Sequence, residues 1–478
     1  MKNLVSKEAF CNIKPLFIGL ISQLSDKYKN VSVLVEQSAG KVYRVSKSGT
    51  IIKDNMFASS GAVIRLLHDN ELYEYSFNDF SEAFISKIPE IIEKKRKQHK
   101  DHAGSFSKAN AFSAEEALCE NISFNKSTEF ITDPSALYDA DITESLMSLH
   151  QSALSYNSKI IDCVCVFQYL KTHKMFLSGH KDLEQHILWS NGIVQPLASR
   201  DDKTHYYLKA FSTLGGAELL DEMKRDIVSA CQSTLELLDS VPPAAGTYDV
   251  ICMPDVTGLI AHEAFGHGVE MDMFVKDRAL ARQYIGKQIA SPLVTMHDNA
   301  ATFPESGSYF FDDEGTLSHD TVIIKNGILN SGINDLQSAC ALNVEPTGNG
   351  RRESFERKAY TRMTNTYFES GNNSLDEMIA SIEYGILLEN ASSGMEDPKN
   401  WGIQCMVNVG REIRNGKLTG KIFSPICLSG YVPDLLKSIS MVSDTLEVSG
   451  CGYCGKGYKE WVKVSDGGAA IKARVKIS

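Results

Sequence analysis

The residues best suited to chemistry lie in one stretch, DVTGLIAHEAFGHGVEMD, positions 255 to 272. It holds His262, Glu263 and His267 in an H-E-x-x-x-H pattern. Two imidazoles are metal donors, and a carboxylate beside one of them suits a general base acting on a metal-activated water. The spacing departs from the common zinc-protease pattern, in which the second His sits at i+4 of one helical face. Here Gly266 holds that position and the second His is at i+5.

That spacing makes a demand on the element that carries it. A helix is expected to start after Pro254, capped by Asp255 or Thr257. On a regular α-helix, five residues turn His267 about 140° away from His262. Both rings meet one metal only if the helix widens into a π-bulge or unwinds. Gly266 and Gly268 flank His267 and lower the cost of such a distortion. On the local pattern alone a second reading stands beside this one: a buried helix with two hydrogen-bonded histidines.

Other side chains invite chemistry with less force. Arg351, Arg352 and Arg362 suit a peptide carboxylate or carbonyl, but a structural pairing with Glu353 or the Asp312–Asp313 cluster is the stronger expectation. Asp312 and Asp313 suit a hard cation, but a solvated turn is the expectation. Lys456 either stabilises an oxyanion or faces solvent. The run KKRKQHK, 94 to 100, ends a helix and reads as a solvated terminus rather than a nucleic-acid patch. Cys451 and Cys454 form a C-x-x-C; the glycines around it disfavour a redox helix start, leaving a zinc site or unrelated thiols.

The chain has 478 residues, room for two or three domains. Its apolar content of 43% and charged content of 23% are those of a globular protein. A net charge of −11 argues against a nucleic-acid partner. No apolar run is long enough to span a membrane. The 11 cysteines are odd in number and scattered, which suggests reduced thiols in a cytoplasmic protein.

In order, the sequence predicts a first helix (4–28), a meander of strands (31–37, 41–46, 62–68, 71–77) and a helix to about residue 98. A polar linker is expected at 99–130. A helix to 156, strands at 159–170, 174–180, 186–199 and 204–213, and a helix from 218 to 240 complete an N-terminal domain, 1–240. The second domain, 241–478, opens with a buried strand feeding the motif helix. It continues with a hairpin about Asn326-Gly327, a helix at 375–390, a hairpin about Asn415-Gly416 and a helix at 434–444. Helices and strands do not alternate as βαβ units, so the class is α+β: β-meander sheets packed with helices.

Taken together, these segments carry a resemblance. HEAFGHGVEMD is similar to the active-site helix of the TldD/PmbA family of zinc-dependent peptidases. GSYFFDDEGT with TVIIKNGIL, then TGNGRRES, RMTNTY and IASIEYGI, resemble successive segments of that family. GYCGKGY resembles its Cys-Gly-Lys segment, and AVIRLL with ELYEYSFND its first-domain pattern. The resemblance implies a zinc ion on His262, His267 and Cys454, with Glu263 as the catalytic base. It implies a dimer, of two like chains or with a PmbA/TldE-like subunit, that hydrolyses small or unfolded peptides bound extended. The intact motif is similar to the TldD side of the family, while residues 391–430 differ from the glycine-rich segment expected there. The competing readings are a non-catalytic regulatory partner and a structural His2Cys2 zinc closed by both Cys451 and Cys454.

Overall fold

The computed structural model describes residues 7–68, 71–100, 120–450, 452–457 and 459–478. Cys451 and positions 101–119 of the expected linker lie outside the described residues. Among the described residues no helix is long and apolar enough to cross a membrane.

Two large sheets organise the chain, and helices pack on them, an α+β arrangement. The first is built on one long hairpin, Ile160–Ser178 and Lys181–Arg200. Alternation gives this hairpin two unlike faces. On one face Cys163, Cys165 and Phe167 meet the helices Asp139–Tyr156 and Leu219–Leu237, while Met175 and Leu177 meet the first helix, Lys7–Ser25. The other face packs on the C-terminal half: Phe176 and Leu183 against Phe311, Trp189 against Tyr309.

Ion pairs rim that junction. Lys174 bridges Glu36 and Asp313, Arg65 pairs with Glu314, and Arg352 pairs with Glu74. The solvated turn expected at Asp312 and Asp313 is therefore a correction. Both are buried, because the N-terminal sheet covers the turn and supplies Lys174. Asp312 accepts the backbone N–H groups of Glu314, Thr316 and Gly350, which ties the turn together.

In the second sheet the strand Gly246–Cys252 runs parallel to Tyr384–Asp397 and antiparallel to Ser465–Ile477. Its C-terminal end delivers the motif helix into the core. Two expected helices are shorter than the sequence suggested. Leu375–Ala380 is helical, capped by Ser374 with Glu377, but the continuation is the strand Tyr384–Asp397. Ile386, Leu387 and Leu388 are buried together, and a short unbroken apolar run does not distinguish a buried strand from a helix. Likewise Val432–Lys437 is helical and Met441–Ser449 is a strand. A strand, Ile122–Ser127, also lies within the expected linker and pairs parallel with Lys181–Arg200.

Candidate metal centre

Met253, rather than Asp255 or Thr257, is the N-cap, because Pro254 fixes the first helical position one residue earlier. Asp255 instead accepts the Ala391 N–H, and the Thr257 hydroxyl donates to the Cys252 carbonyl. The helix runs regularly over Pro254–Ile260. It then widens into a π-turn over Ala261–Gly266 and tightens to a 3-10 turn at His267–Val269. This is the distortion that the i, i+5 spacing demanded. Gly266 permits it: a Cβ there would collide with the Met363 sulfur in a fully buried site.

The two rings stand 5.3 Å apart between centroids and nearly perpendicular, at 87°. Between them lies Cys454, on the hairpin Tyr453–Lys456 and Lys459–Lys463. Its Sγ is 3.2 Å from His262 Nε2 and 3.3 Å from His267 Nε2. The three donor atoms lie within 4.8 Å of one another. Burial alone would raise the Cys454 thiol, yet the two imidazoles hold it well below its ordinary value. Burial likewise opposes charge on His262 and His267, and Cys454 outweighs it, so both are raised. A thiolate and two imidazoles sharing protons at these distances form a donor set that suits zinc.

The remaining ring nitrogens are held by partners that orient a ligand histidine. Thr366 Oγ1 lies 3.4 Å from His262 Nδ1, and Glu270 Oε2 lies 3.4 Å from His267 Nδ1. Glu270 in turn accepts from Arg362 Nε at 3.2 Å and pairs with Lys456 Nζ at 3.1 Å. Arg362, wholly buried, also donates to the carbonyls of Cys454 and Glu460. Lys456 bonds Asp272 at 2.7 Å, so it neither faces open solvent nor is free for an oxyanion. Of the three arginines, Arg362 braces this network and Arg352 pairs with Glu74. Arg351 donates to the Met363 carbonyl and lies over Tyr309.

Glu263 is half-buried on the π-turn, against Gly394 of Tyr384–Asp397, and no described side chain donates to it. Two further carboxyls crowd the centre. Burial pushes Asp466 up to about 7 and Glu396 up to about 9, with His262 and His267 respectively pulling the other way. Sequence reading missed Glu270, Asp466 and Glu396. An acid three residues after a ligand histidine was a usable signal for Glu270. The other two are brought in by strands far along the chain, and no spacing announces them.

A second group, His173, Glu184 and His186, also gathers donor atoms within 4.8 Å. Its geometry differs. The two rings lie 3.7 Å apart between centroids and tilted by 35°, Phe10 stacks on His173 at 3.6 Å, and Glu184 is taken by Lys14 at 2.8 Å and Asn125 at 3.0 Å.

Residues 245–470 match the PmbA/TldA metallopeptidase C-terminal domain. A metalloprotease of Methanothermobacter thermautotrophicus is 33% identical over 270 residues, 56% of this chain and 58% of that one. The chain thus spans little more than half the length of that relative. A protein of Saccharolobus solfataricus named as a zinc metalloprotease TldD homolog is 28% identical over 335 residues, 70% of this chain and 73% of its own. Two crystal structures share the fold. A Thermotoga maritima protein named as a modulator of DNA gyrase gives a TM-score of 0.78 at 16% identity, covering 97% of this chain and all of that one (100%). TldE from Thermococcus kodakarensis gives 0.72 at 17%, covering 97% and 100%.

Proposed function

The chain belongs to the TldD/PmbA family through its C-terminal half, and from that membership we propose a zinc-dependent metallopeptidase acting on small or unfolded peptides. The observation that carries the reading is the convergence of His262, His267 and Cys454 on one point, from a π-turn and a distant hairpin. A zinc ion held by these three would supply Lewis acidity to a peptide carbonyl and to a water. Glu263, adjacent to His262 and without a hydrogen-bond donor among the described side chains, takes a proton from the attacking water and returns it to the leaving amine. Thr366 and Glu270 fix the two rings through their outer nitrogens. Arg362 and Lys456 hold Glu270 ionised: burial opposes its charge, and Lys456, His267 and Arg362 together override that.

The proposal extends to a cytoplasmic protein that dimerises, with itself or with a PmbA/TldE-like subunit; the likeness to a TldE structure motivates the second. The test is metal analysis together with cleavage of an unfolded protein such as casein, with and without chelator. Glu263→Ala should keep zinc and lose turnover, and Cys454→Ser should lose both. Wild-type cleavage by the Glu263 variant would refute the assignment.

A further inference from the structure

The hairpin that carries Cys454 has two unlike sides. Cys454 and its cross-strand partner Val462 share one, and Tyr453 and its partner Lys463 share the other. Between this hairpin and the N-terminal sheet lies a partly open cavity of about 90 Å³. Lys174 and Gln185 of the long N-terminal hairpin line it, as do Arg351, Tyr453 and Lys463. One water needs about 10–15 Å³ of such room, so the space takes several waters or one small oxyanion.

The cations on its wall are unequally provided for. Lys174 has Glu36 at 3.0 Å and also Asp313, and Arg352 has Glu74. The remaining acids are occupied or held neutral. Glu353 accepts the Glu460 N–H, and burial, with Glu314 beside it, pushes Asp312 up towards its uncharged form. Among the described residues neither Arg351 nor Lys463 is in an ion pair. Arg351 gives one N–H to the Met363 carbonyl and lies over Tyr309, and Lys463 Nζ stands 5.3 Å from the centre of the Trp189 ring. Two further donors on the wall lack acceptors, the Tyr453 hydroxyl and Arg352 Nε. Folded chains rarely leave so many donors unanswered, and a cavity among them admits an acceptor from outside.

Burial lowers the Lys463 amine to about 7; Lys174 and Arg351 add to that shift, and Glu36 opposes it. Such an amine takes its proton near neutral pH at little cost, while the guanidinium of Arg351 stays charged throughout.

We propose that this cavity is a binding site for a small oxyanion, a carboxylate or a phosphate, held by Lys463 and Arg351 on the side of the hairpin away from the histidines. The site is separate from the metal centre and does not rest on the peptidase reading. A charge-assisted hydrogen bond from a partly desolvated cation is among the stronger polar contacts, and Tyr453 stands ready to add a neutral one.

Calorimetric titration of the full chain tests this, with inorganic phosphate and acetate as separate probes at neutral pH and potassium chloride holding the ionic strength constant. At least one of them should bind saturably at one site per chain, and the tighter of the two identifies the source. Lys463→Met should weaken that binding by about tenfold or more, and Lys463→Arg, which keeps the charge, should retain most of it. Tyr453→Phe deletes only the unpartnered hydroxyl and should weaken it by about threefold. No saturable binding of either anion by the wild type, or binding that Lys463→Met leaves unchanged, would overturn the inference. Should Lys463→Met fail to fold, unchanged binding by Tyr453→Phe would overturn it instead.

Discussion

Glu270→Gln isolates the bracing of the metal centre from the donors themselves. Glu270 is 1% exposed and meets three positive or proton-sharing groups: Arg362 Nε at 3.2 Å, Lys456 Nζ at 3.1 Å and His267 Nδ1 at 3.4 Å. At an effective dielectric of about 20, each full charge pair at such a distance attracts by about 5 kcal/mol before desolvation is subtracted. The amide keeps the shape and loses the charge. Lys456 retains Asp272, but Arg362 is left buried with no carboxylate. Removing one partner of a buried pair costs about 3–5 kcal/mol, and loss of the group orienting a ligand histidine costs about 10–100-fold in metal affinity. Urea unfolding of the metal-free protein measures the first, and zinc titration against a competing chelator the second. The sign with pH follows from the lowered carboxyl. Its contribution is complete above the ordinary glutamate range and is lost as pH falls through the lowered value. A Gln variant with wild-type stability and zinc affinity would mean that Glu270 does not brace the site.

Two further outcomes are expected. Gly266→Ala forces a methyl against Met363 and should destabilise by about 1–3 kcal/mol in urea, with part recovered by adding Met363→Ala; full stability of the single variant would argue that the π-turn is not packed as described. Burial disfavours charge on His297, but Asp320 and Glu369, each 2.8 Å away, raise it overall. Its contribution is present below the unfolded value of about 6.5 and is lost as pH rises through the raised one, so thermal melts from about pH 6 to about pH 8.5 should fall less steeply for His297→Gln.

The two candidate histidine donors were legible because their chemistry is local. His262 and His267 fix their own distance, and the mismatch with a regular helix demanded the π-turn that the chain adopts. Cys454 was reachable only through the likeness of its Gly-Lys context, since nothing in its spacing says which helix it faces. The α+β class followed from strand and helix periodicity. What the sequence hid are features decided by burial on both sides of an element. Ile386 to Leu388 read as helix because a central strand lacks alternation. Asp312 and Asp313 read as solvent-facing because their cover, Lys174 and Phe176, lies far back in the chain. Glu396 shows nothing in sequence but an acid in a polar stretch, and only the fold sets it against Gly268.

The hairpin that bears Cys454 has its neighbour, Tyr453, stacked on Phe57 at 3.8 Å and set edge-on to Trp189 at 5.6 Å. Trp189 lies in the N-terminal sheet and Phe57 in a turn between two of its strands, whereas both histidines follow a strand of the C-terminal sheet. All three proposed donors thus belong to the C-terminal half, but the hairpin that carries the sulfur leans on the N-terminal one. Loosening the seam between the halves draws the sulfur away from the imidazoles while each sheet still keeps its own core. Metal retention then measures the fit of one half on the other, and the N-terminal half, which offers no donor, acts as the clamp that keeps the chelate shut.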